Sequence, residues 1–318
     1  MCNHPHTAAT YMFTVKVPAT SANMGPCFDS AGMALALYNE VSVLTGGECD
    51  FEEPFRIEST SEIDPRLAAE QDIPCDETNL IYKTIRWFAS HEKRTLPRFA
   101  LHQLDRIPLA RGLGSSAACI VSGLMIAYRL CETNLSREEL LNMAVKLEGH
   151  PDNVAPAFVG EMVVGAIDGR RFEYLPVPLP EELEFIVLIP DFPLPTEEAR
   201  RVLPTSYSRE QAVFNASRAA LLVGSLMSGR FDVLSSAVRD QIHQPYRSRL
   251  IHGMDGIIGA AERAGAYGGF LSGAGPSIMV IARRGDGVAS ELERYCETLG
   301  SYWYVSSISP DRGGAVIV

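Results

Sequence analysis

The stretch RIPLARGLGSSAACIVSGLMIA, residues 106–127, decides how the rest of the sequence is interpreted. Two glycines and two serines stand directly before small and apolar residues, and no charged residue occurs between Arg111 and Arg129. The unpaired backbone N–H groups at the start of a helix, together with the helix dipole, attract anions. Glycine lets the backbone approach a ligand closely, and serine adds donors. The stretch therefore predicts a phosphate-binding loop; the alternative is a tight turn that only packs a helix against a strand.

Two common nucleotide motifs fit this stretch poorly. A P-loop needs a lysine that is absent here. The spacing Gly112-x-Gly114-x-x-Ala117 matches the dinucleotide-binding pattern loosely, but that pattern also needs an acidic residue at the end of the next strand. Glu132 has the right spacing, yet it follows a predicted helix. A dinucleotide-dependent enzyme is therefore disfavoured.

Composition indicates a globular protein and bears on its class of partner. The chain has 318 residues, with 28 Lys and Arg against 39 Asp and Glu, for a formal net charge of -11. This length suggests one large domain or two ordinary ones. The negative charge argues against nucleic acid or an anionic membrane as the main partner. An anionic ligand is still compatible, because a local cluster of arginines can attract it.

Cysteine usage and the N-terminal segment indicate a cytoplasmic protein. The seven cysteines are scattered and include no CxxC pair, so we expect neither a disulfide framework nor a structural zinc site. Residues 1–13 have no basic segment followed by an apolar one, so we expect no signal peptide. No apolar run reaches the ~18 residues of a membrane span.

Apolar spacing predicts alternating strands and helices along the whole chain. Strands are predicted at 12–17, 38–46, 98–109, 161–167, 184–190, 301–307 and 314–318. Helices are predicted at 79–92, 115–131, 136–149, 208–228, 230–243, 252–264 and 287–299. Ser136 and Glu139 form a capping-box pattern, and Gly149 is a stop signal. Residues 18–37, rich in Pro, Ser, Asn and Gly, are predicted as a loop.

Three motifs resemble those of the GHMP small-molecule kinases. They are VKVPATSANMGPCFDSAG (15–32), IPLARGLGSSAA (107–118) and GGFLSGAGPSIMV (268–280). Within that superfamily, three segments look like those of the homoserine kinases, namely PATSANMGPCFDSAGMAL (18–35), EGHPDNVAPAFVGEMVV (148–164) and HQPYR (243–247). The motifs follow the expected order over nearly the whole chain. One departure is Cys27, which stands where the first motif usually has a second glycine.

The resemblance implies an α+β fold with two lobes. The N-terminal lobe, residues 1–170, would resemble domain 2 of ribosomal protein S5 and bind ATP. The C-terminal lobe, residues 171–318, would be ferredoxin-like. The implied activity is ATP-dependent phosphorylation of the side-chain hydroxyl of L-homoserine to O-phospho-L-homoserine, on the way to threonine. Relatives are often dimers, so a homodimer is also expected.

The resemblance also assigns site residues. ATP would contact Asn79, Pro108, Arg111, Gly112, Leu113, Gly114, Ser115 and Ser116. Magnesium would be held by Glu148 and Ser116. The substrate would contact Asn23, Asp29, His150, Asn153, Arg200 and Arg247. Among these, the residues expected to take part in catalysis are Asp29, Asn153 and Glu148.

Residue chemistry refines these roles. Asp29 would orient the substrate hydroxyl or accept its proton, whereas Asn153 would only position, because an amide is not a base at neutral pH. Arginine suits a carboxylate because its planar fork forms two parallel bonds. Arg201 is adjacent to Arg200, so the choice between them depends on the family spacing.

Two alternatives stay open from the sequence. The chain could be another GHMP-type kinase that acts on a mevalonate-like or sugar substrate. It could also be a catalytically inactive sensor of the same fold.

Overall fold

A computed structural model describes residues 12–46, 49, 51–68 and 73–318. Most of the segment for which no signal peptide is predicted, residues 1–11, therefore lies outside the described residues. Across the described ranges, none of the helices combines the length and the apolar character needed to cross a bilayer.

The described residues form strands and helices in mixed order. The strands are β1 (Phe13–Ala22), β2 (Ala31–Thr45), β3 (Phe55–Ser61), β4 (Phe99–Asp105), β5 (Met162–Asp168), β6 (Arg171–Val177), β7 (Leu183–Pro190), β8 (Gly268–Leu271), β9 (Ile278–Arg283), β10 (Trp303–Ile308) and β11 (Val316–Ile317). The helices are α1 (Leu80–His91), α2 (Ser115–Leu130), α3 (Arg137–Glu148), α4 (Pro151–Val159), α5 (Thr196–Arg201), α6 (Arg209–Ser228), α7 (Leu234–Ala237), α8 (Gln244–Arg247), α9 (Met254–Arg263) and α10 (Val288–Cys296).

A mixed sheet and a group of helices build the first half of the molecule. The sheet has the order β11-β1-β2-β4-β3, and β5 adds to β2 and pairs with β6. Only β3 and β4 of these pairs run parallel. Helix α2 packs against α1, α3, α4 and β1, and most of its residues are buried. This burial explains why α2 has no charged residue before Arg129 in its last turn, since a charge there would have to leave water.

A second, four-stranded antiparallel sheet has the order β10-β7-β9-β8. Helices α9 and α10 pack against this sheet and against each other. The predicted division at residues 170/171 falls in the turn between β5 and β6, which pair along their length in the first sheet. Strand β11 also returns to the first sheet, where it pairs with β1. The place of the boundary between the lobes stays a prediction.

Two predicted segments are wrong. Residues 18–37 are mostly strand, because β1 and β2 pair from Ala19 to Ala22 beyond a bulge at Pro18. Their small residues are needed because α4 passes close by: a Cβ on Gly32 would lie 1.9 Å from the Asp152 carbonyl oxygen. The predicted helix at 230–243 shortens to a 3₁₀ turn and α7.

The helix predicted at 230–243 ends early because the side chain of Asp240 binds backbone N–H groups. The Asp240 carboxylate accepts N–H groups of Ile242, His243 and Gln244 at 2.7–3.0 Å. An aspartate that bonds neighbouring N–H groups competes with helical hydrogen bonds. The chain therefore turns at Asp240 and starts α8 separately.

Helix ends otherwise follow the sequence signals. The capping box of Ser136 and Glu139 is present at the start of α3, and Gly149 ends that helix in a left-handed conformation. Gly114 caps α2 without a side-chain bond, with φ of 71°. The four N–H groups at the start of α2 are thus left for a ligand or for solvent.

Strand β4 carries a polar network on its buried face. Residues 99, 101, 103 and 105 are buried, and two of them are Gln103 and Asp105. The Asp105 carboxylate accepts hydrogen bonds from Asn39, Gln103 and Ser59 at 2.9, 2.8 and 3.2 Å. Burial raises the pKa of Asp105 to about 6, although the bonds from Gln103 and Ser59 act in the opposite direction. The folded protein therefore retains a proton on Asp105 that the unfolded chain releases at lower pH.

This shift predicts the pH dependence of an Asp105→Asn variant. Protonated Asp105 is stabilising below its unfolded pKa, and that contribution is lost as pH rises through about 6. Asparagine keeps the shape without the charge. Between about pH 4 and pH 6.5, the unfolding free energy of wild type should therefore fall relative to that of Asp105→Asn, by up to about 3 kcal/mol. Urea denaturation across this range measures it, and a constant difference would contradict the pKa shift.

Candidate active site

A cavity of about 550 Å³ lies where loops from both halves of the chain meet. It is lined by every site residue that the sequence predicts, namely Asn23, Asp29, Asn79, Pro108, Arg111, Gly112, Leu113, Gly114, Ser115, Ser116, Glu148, His150, Asn153, Arg200 and Arg247. Gly273 of the third motif also lines it, whereas Gly275 and Ser277 do not. The fold thus brings together residues as far as 250 positions apart, from Asn23 to Gly273.

The glycine-rich loop packs directly against the loop between β8 and β9. A Cβ on Gly112 would lie 2.3 Å from the Ser272 carbonyl oxygen, and one on Gly114 would lie 1.9 Å from Thr20 Oγ1. The Ser272 hydroxyl donates to the Gly112 carbonyl at 2.7 Å. Glycine is therefore required at Gly112 by the close backbone of Ser272 and at Gly114 by the close side chain of Thr20, and both positions have positive φ.

The serines after this loop and Glu148 fit a nucleotide phosphate with a cation. Ser115 Oγ is buried and has no hydrogen-bond partner among the described residues. Ser116 Oγ donates to Glu148 Oε2 at 3.3 Å. Burial raises the pKa of Glu148, as does nearby Asp152, whereas His150 and the Ser116 hydrogen bond lower it. A half-buried carboxylate beside a hydroxyl at a helix start suits a hard divalent cation bound to phosphate oxygens.

Two residues predicted at the ATP end have structural partners. The Arg111 side chain is 1% exposed and donates to the carbonyl oxygens of Leu109, Pro190 and Asp191 at 2.9–3.3 Å. It therefore ties the glycine-rich loop to the end of β7. Asn79 is the N-cap of α1, and its side chain accepts from the N–H groups of residues 81 and 82. Its amide nitrogen donates to Pro74 and Gln103.

An ion pair at the opposite end joins the two halves of the chain. Arg200 Nη2 and Nη1 donate to the two oxygens of Asp29 at 2.9 and 3.2 Å. Both side chains are about one-third exposed to the cavity and solvent, at 39% and 32%. Arg201 points away, is 73% exposed and pairs with Glu197. The structure thus separates the two neighbouring arginines, which the sequence alone does not.

Arg247 is a second, buried arginine at this end. Its side chain is 1% exposed, and burial together with nearby Arg200 lowers its pKa to about 10. Phe28 lies near both arginines, with its ring centroid 5.8 Å from Cζ of Arg200 and 5.4 Å from Cζ of Arg247. Cations over an aromatic face are favourable, which offsets part of the repulsion between them.

His150 is oriented by a residue that the sequence interpretation missed. His150 Nδ1 lies 2.6 Å from an oxygen of Asp152, which is almost fully buried. Burial lowers the pKa of His150, but the hydrogen bond and charge of Asp152 raise it more, for a net upward shift. A carboxylate two residues after a histidine at a helix start was the available signal. Asp29, His150 and Asp152 could together approach a cation, but Arg200 already supplies positive charge to Asp29.

Asn153 has a similar partner that the sequence does not suggest. Thr20 Oγ1 donates to Asn153 Oδ1 at 2.7 Å. This bond assigns the amide oxygen to Thr20 and leaves the Asn153 NH₂ group for the cavity. Thr20 belongs to a strand and is fully buried, so no sequence pattern marks it.

The first-motif loop is held in an unusual conformation. Asn23, Met24 and Asp29 have positive φ values of 70°, 43° and 53°. Asn23 bridges two motifs, since its amide donates to the Gly273 carbonyl at 2.8 Å and its oxygen accepts from the Asp29 N–H at 3.0 Å. Cys27 is absent from the residues with positive φ, so this position of the described loop does not require the glycine usual in the motif.

Comparisons with known proteins agree with this geometry. Residues 79–161 match the family described as GHMP kinases N terminal domain, and residues 220–299 match GHMP kinases C terminal. The sequence is 40% identical to homoserine kinase of Clostridium beijerinckii over 309 residues, covering 96% of this chain and 99% of the relative.

Two solved structures are similar over nearly the whole chain. The homoserine kinase of Cytophaga hutchinsonii has a TM-score of 0.84 at 26% identity and covers 99% of this chain and 100% of its own. A putative homoserine kinase of Listeria monocytogenes has a TM-score of 0.77 at 33% identity, with 96% and 99% covered. The predicted two-lobed α+β GHMP kinase fold is confirmed. The chain belongs to the homoserine kinase family of the GHMP kinases.

Proposed function

We propose that this chain transfers the γ-phosphoryl group of ATP to the side-chain hydroxyl of L-homoserine and releases O-phospho-L-homoserine, an intermediate on the way to threonine. The relatives named homoserine kinase match it end to end at 40% identity. One observation carries the proposal. The same cavity has an anion-binding loop at one end and the oppositely charged pair Asp29 and Arg200 at the other.

The Asp29–Arg200 end is suited to a free amino acid. An amino acid carries an ammonium and a carboxylate on one carbon, and Asp29 and Arg200 present the complementary charges 2.9 Å apart. Arg247 adds a second guanidinium beside Phe28. Because Asp29 and Arg200 are partly exposed, a zwitterion can replace the water around them and exchange contacts with both. We assign the substrate carboxylate to Arg200 and Arg247.

The loop end is suited to the phosphates of ATP. The N–H groups at the start of α2, the loop glycines and the unpartnered Ser115 hydroxyl all supply donors. We assign magnesium to Ser116 and Glu148, whose oxygens are adjacent. When bound, this ion supplies neutralising charge to the phosphate oxygens. Phosphoryl transfer needs mainly such neutralisation and alignment.

Asn153 and Asp29 would align the attacking hydroxyl between these ends. The NH₂ group of Asn153 is available to the cavity because its oxygen is held by Thr20. Both oxygens of Asp29 accept N–H groups of Arg200, which favours an orienting role for Asp29 over proton abstraction. Its assignment as a base stays the alternative.

Each of the other candidate functions leaves some of the charged residues of this cavity without a role. A sugar has no carboxylate for two arginines, and a mevalonate-like substrate has no ammonium for Asp29. An inactive sensor would not need Ser116 and Glu148 together. In the dinucleotide pattern the acidic residue ends a strand, whereas Glu132 follows α2 and precedes α3. A homodimer and a cytoplasmic location stay predictions.

The function is tested by ADP formation with a panel of alcohols. The purified full-length chain with ATP and magnesium should release ADP rapidly with L-homoserine. It should release little with mevalonate, galactose or 3-aminopropan-1-ol. A coupled assay measures the rates, and phosphorus NMR identifies the product ester. Turnover with mevalonate or galactose but not homoserine would reject the proposal.

The two neighbouring arginines give a matched pair of variants. Arg200→Met removes the guanidinium that faces Asp29, whereas Arg201→Met removes one that is 73% exposed. Losing a partner of a desolvated charge costs ~2–5 kcal/mol. We expect the homoserine KM of Arg200→Met to rise on the order of 30-fold or more, with the ATP KM near wild type. Arg201→Met should match wild type in both, and equal effects of the two variants would contradict the assignment.

The metal assignment predicts a changed magnesium requirement. Glu148→Gln keeps an oxygen and loses a charge, so its affinity for a hard cation should fall. The half-saturating magnesium concentration should rise about tenfold or more in Glu148→Gln, and by less in Ser116→Ala. Glu138→Gln, on the exposed face of α3, is the control. Magnesium titrations at saturating homoserine measure this, and wild-type behaviour of both Glu148→Gln and Ser116→Ala would reject the site.

A further inference from the structure

The motif HQPYR contains a buried histidine to which no role has been given. His243 is 0% exposed, although it belongs to a loop before the four-residue helix α8. Its Nε2 lies 2.8 Å from the Gly25 carbonyl oxygen. Its Nδ1 lies 3.3 Å from Nη1 of Arg247. His243 therefore contacts both the first-motif loop and the buried arginine of the substrate end.

The partners of His243 decide which nitrogen carries the proton. A carbonyl oxygen only accepts, so Nε2 must carry the hydrogen toward Gly25. An arginine nitrogen only donates, so Nδ1 must offer its lone pair to Arg247. Burial lowers the pKa of His243, against the opposing charge of Asp240, and keeps the ring neutral. A protonated ring would lose the acceptor and face Arg247 with a like charge.

Asp240 holds the backbone of His243 in this position. Its carboxylate accepts the N–H groups of His243 and Gln244 at 2.8 and 2.7 Å. It also accepts the amide of Asn215 at 2.6 Å. The ring itself lies 5.4 Å from the ring of Phe28, centroid to centroid. The imidazole is thus confined by backbone anchoring and by packing.

The remaining bonds of Arg247 show what this confinement achieves. Nη1 donates to His243 and to the Gly273 carbonyl at 3.0 Å, and Nε donates to the Ala199 carbonyl at 3.0 Å. Nη1 and Nε are thereby fully used. Nη2 has no hydrogen-bond partner in the described part of the chain, and Arg247 lines the cavity. One edge of the guanidinium is fixed, and the Nη2 group is left for a ligand.

We propose that His243 is a positioning residue that accepts from Nη1 of Arg247, orients the guanidinium so that Nη2 faces the substrate, and thereby sets the selectivity for substrates with a carboxylate. This inference rests on the proposed function, because it takes the ligand of Arg247 to be the amino-acid carboxylate.

Two partial isosteres separate the two bonds of His243. The amide oxygen of His243→Asn can occupy the position of Nδ1 and still accept from Arg247. The amide nitrogen of His243→Gln can occupy the position of Nε2 and still donate to Gly25, but the acceptor for Arg247 is lost. His252→Gln, at an exposed histidine, is the matched control. Circular dichroism and urea midpoints verify that all variants are folded.

The proposal predicts a different result for each isostere. His243→Gln should raise the homoserine KM about tenfold or more, with kcat and the ATP KM within about threefold of wild type, since a lost bond to a charged group has this order of effect. His243→Asn should restore most of the homoserine affinity. The reverse order, with His243→Asn impaired and His243→Gln normal, would show action through Gly25 and overturn the proposal. Equal loss of homoserine and ATP affinity would indicate a merely structural role and overturn it too.

Two non-substrate ligands test the carboxylate directly. L-2-Aminobutyrate keeps the carboxylate and ammonium of homoserine, whereas 3-aminopropan-1-ol keeps the ammonium and hydroxyl. The inhibition constant of L-2-aminobutyrate should be about tenfold higher for His243→Gln than for wild type. The inhibition constant of 3-aminopropan-1-ol should be the same for both. Parallel weakening of both would overturn the proposal. If wild type did not phosphorylate homoserine, the proposed function would fail; if it did and His243→Gln matched it, only this inference would fail.

Discussion

The site depends on a backbone contact between two loops from different halves of the chain. A Cβ on Gly112 would lie 2.3 Å from the Ser272 carbonyl oxygen, which leaves room only for glycine. The Ser272 hydroxyl and the N–H of Ser277 bond the carbonyls of Gly112 and Arg111. The shape of the phosphate loop is therefore set by the second half of the molecule as much as by its own sequence. The first-motif loop joins the same assembly through the bond from Asn23 to Gly273.

Arginines divide into two kinds in this assembly. Arg111 and Arg247 are 1% exposed and donate to backbone carbonyls of segments that meet at the cavity. Burying a guanidinium charge costs free energy unless its N–H groups have acceptors. The backbone carbonyls of these loops supply those acceptors. Arg200 instead pairs with a carboxylate in a partly exposed place. The buried arginines hold the loops together, and Arg247 does so through Nε and Nη1 while its Nη2 is left for a ligand. Arg200 is free to exchange its partner for a ligand.

Polar residues that support other residues are the part of the site that sequence reasoning missed. Asp152 orients His150, Thr20 fixes the amide of Asn153, and His243 bonds Arg247. Each is buried and acts through a neighbour, and only Asp152 has a local signal, its spacing from His150 at a helix start. The motifs predict the side chains at the surface of the cavity, whereas their supporting residues lie in β1, in α4 and directly before α8, where packing places them. Asp105 is comparable, since only its burial raises its pKa.

The sequence by itself determined the local features, because their causes are local. Capping at Ser136, the stop at Gly149 and the helix with no charge between Ser116 and Arg129 follow from neighbouring residues, and the order of the motifs is read directly from the sequence. It also predicted which residues line the cavity, through motif resemblance. Tertiary structure alone decided that residues 18–37 are mostly strand, where Gly32 allows the close approach of α4. The sequence chose Arg200 over Arg201 only from the family spacing, and the structure supplies the physical difference, since Arg200 reaches Asp29 whereas Arg201 pairs with Glu197. Contacts between distant segments cannot be read from spacing along the chain, since they form only when both halves have folded together.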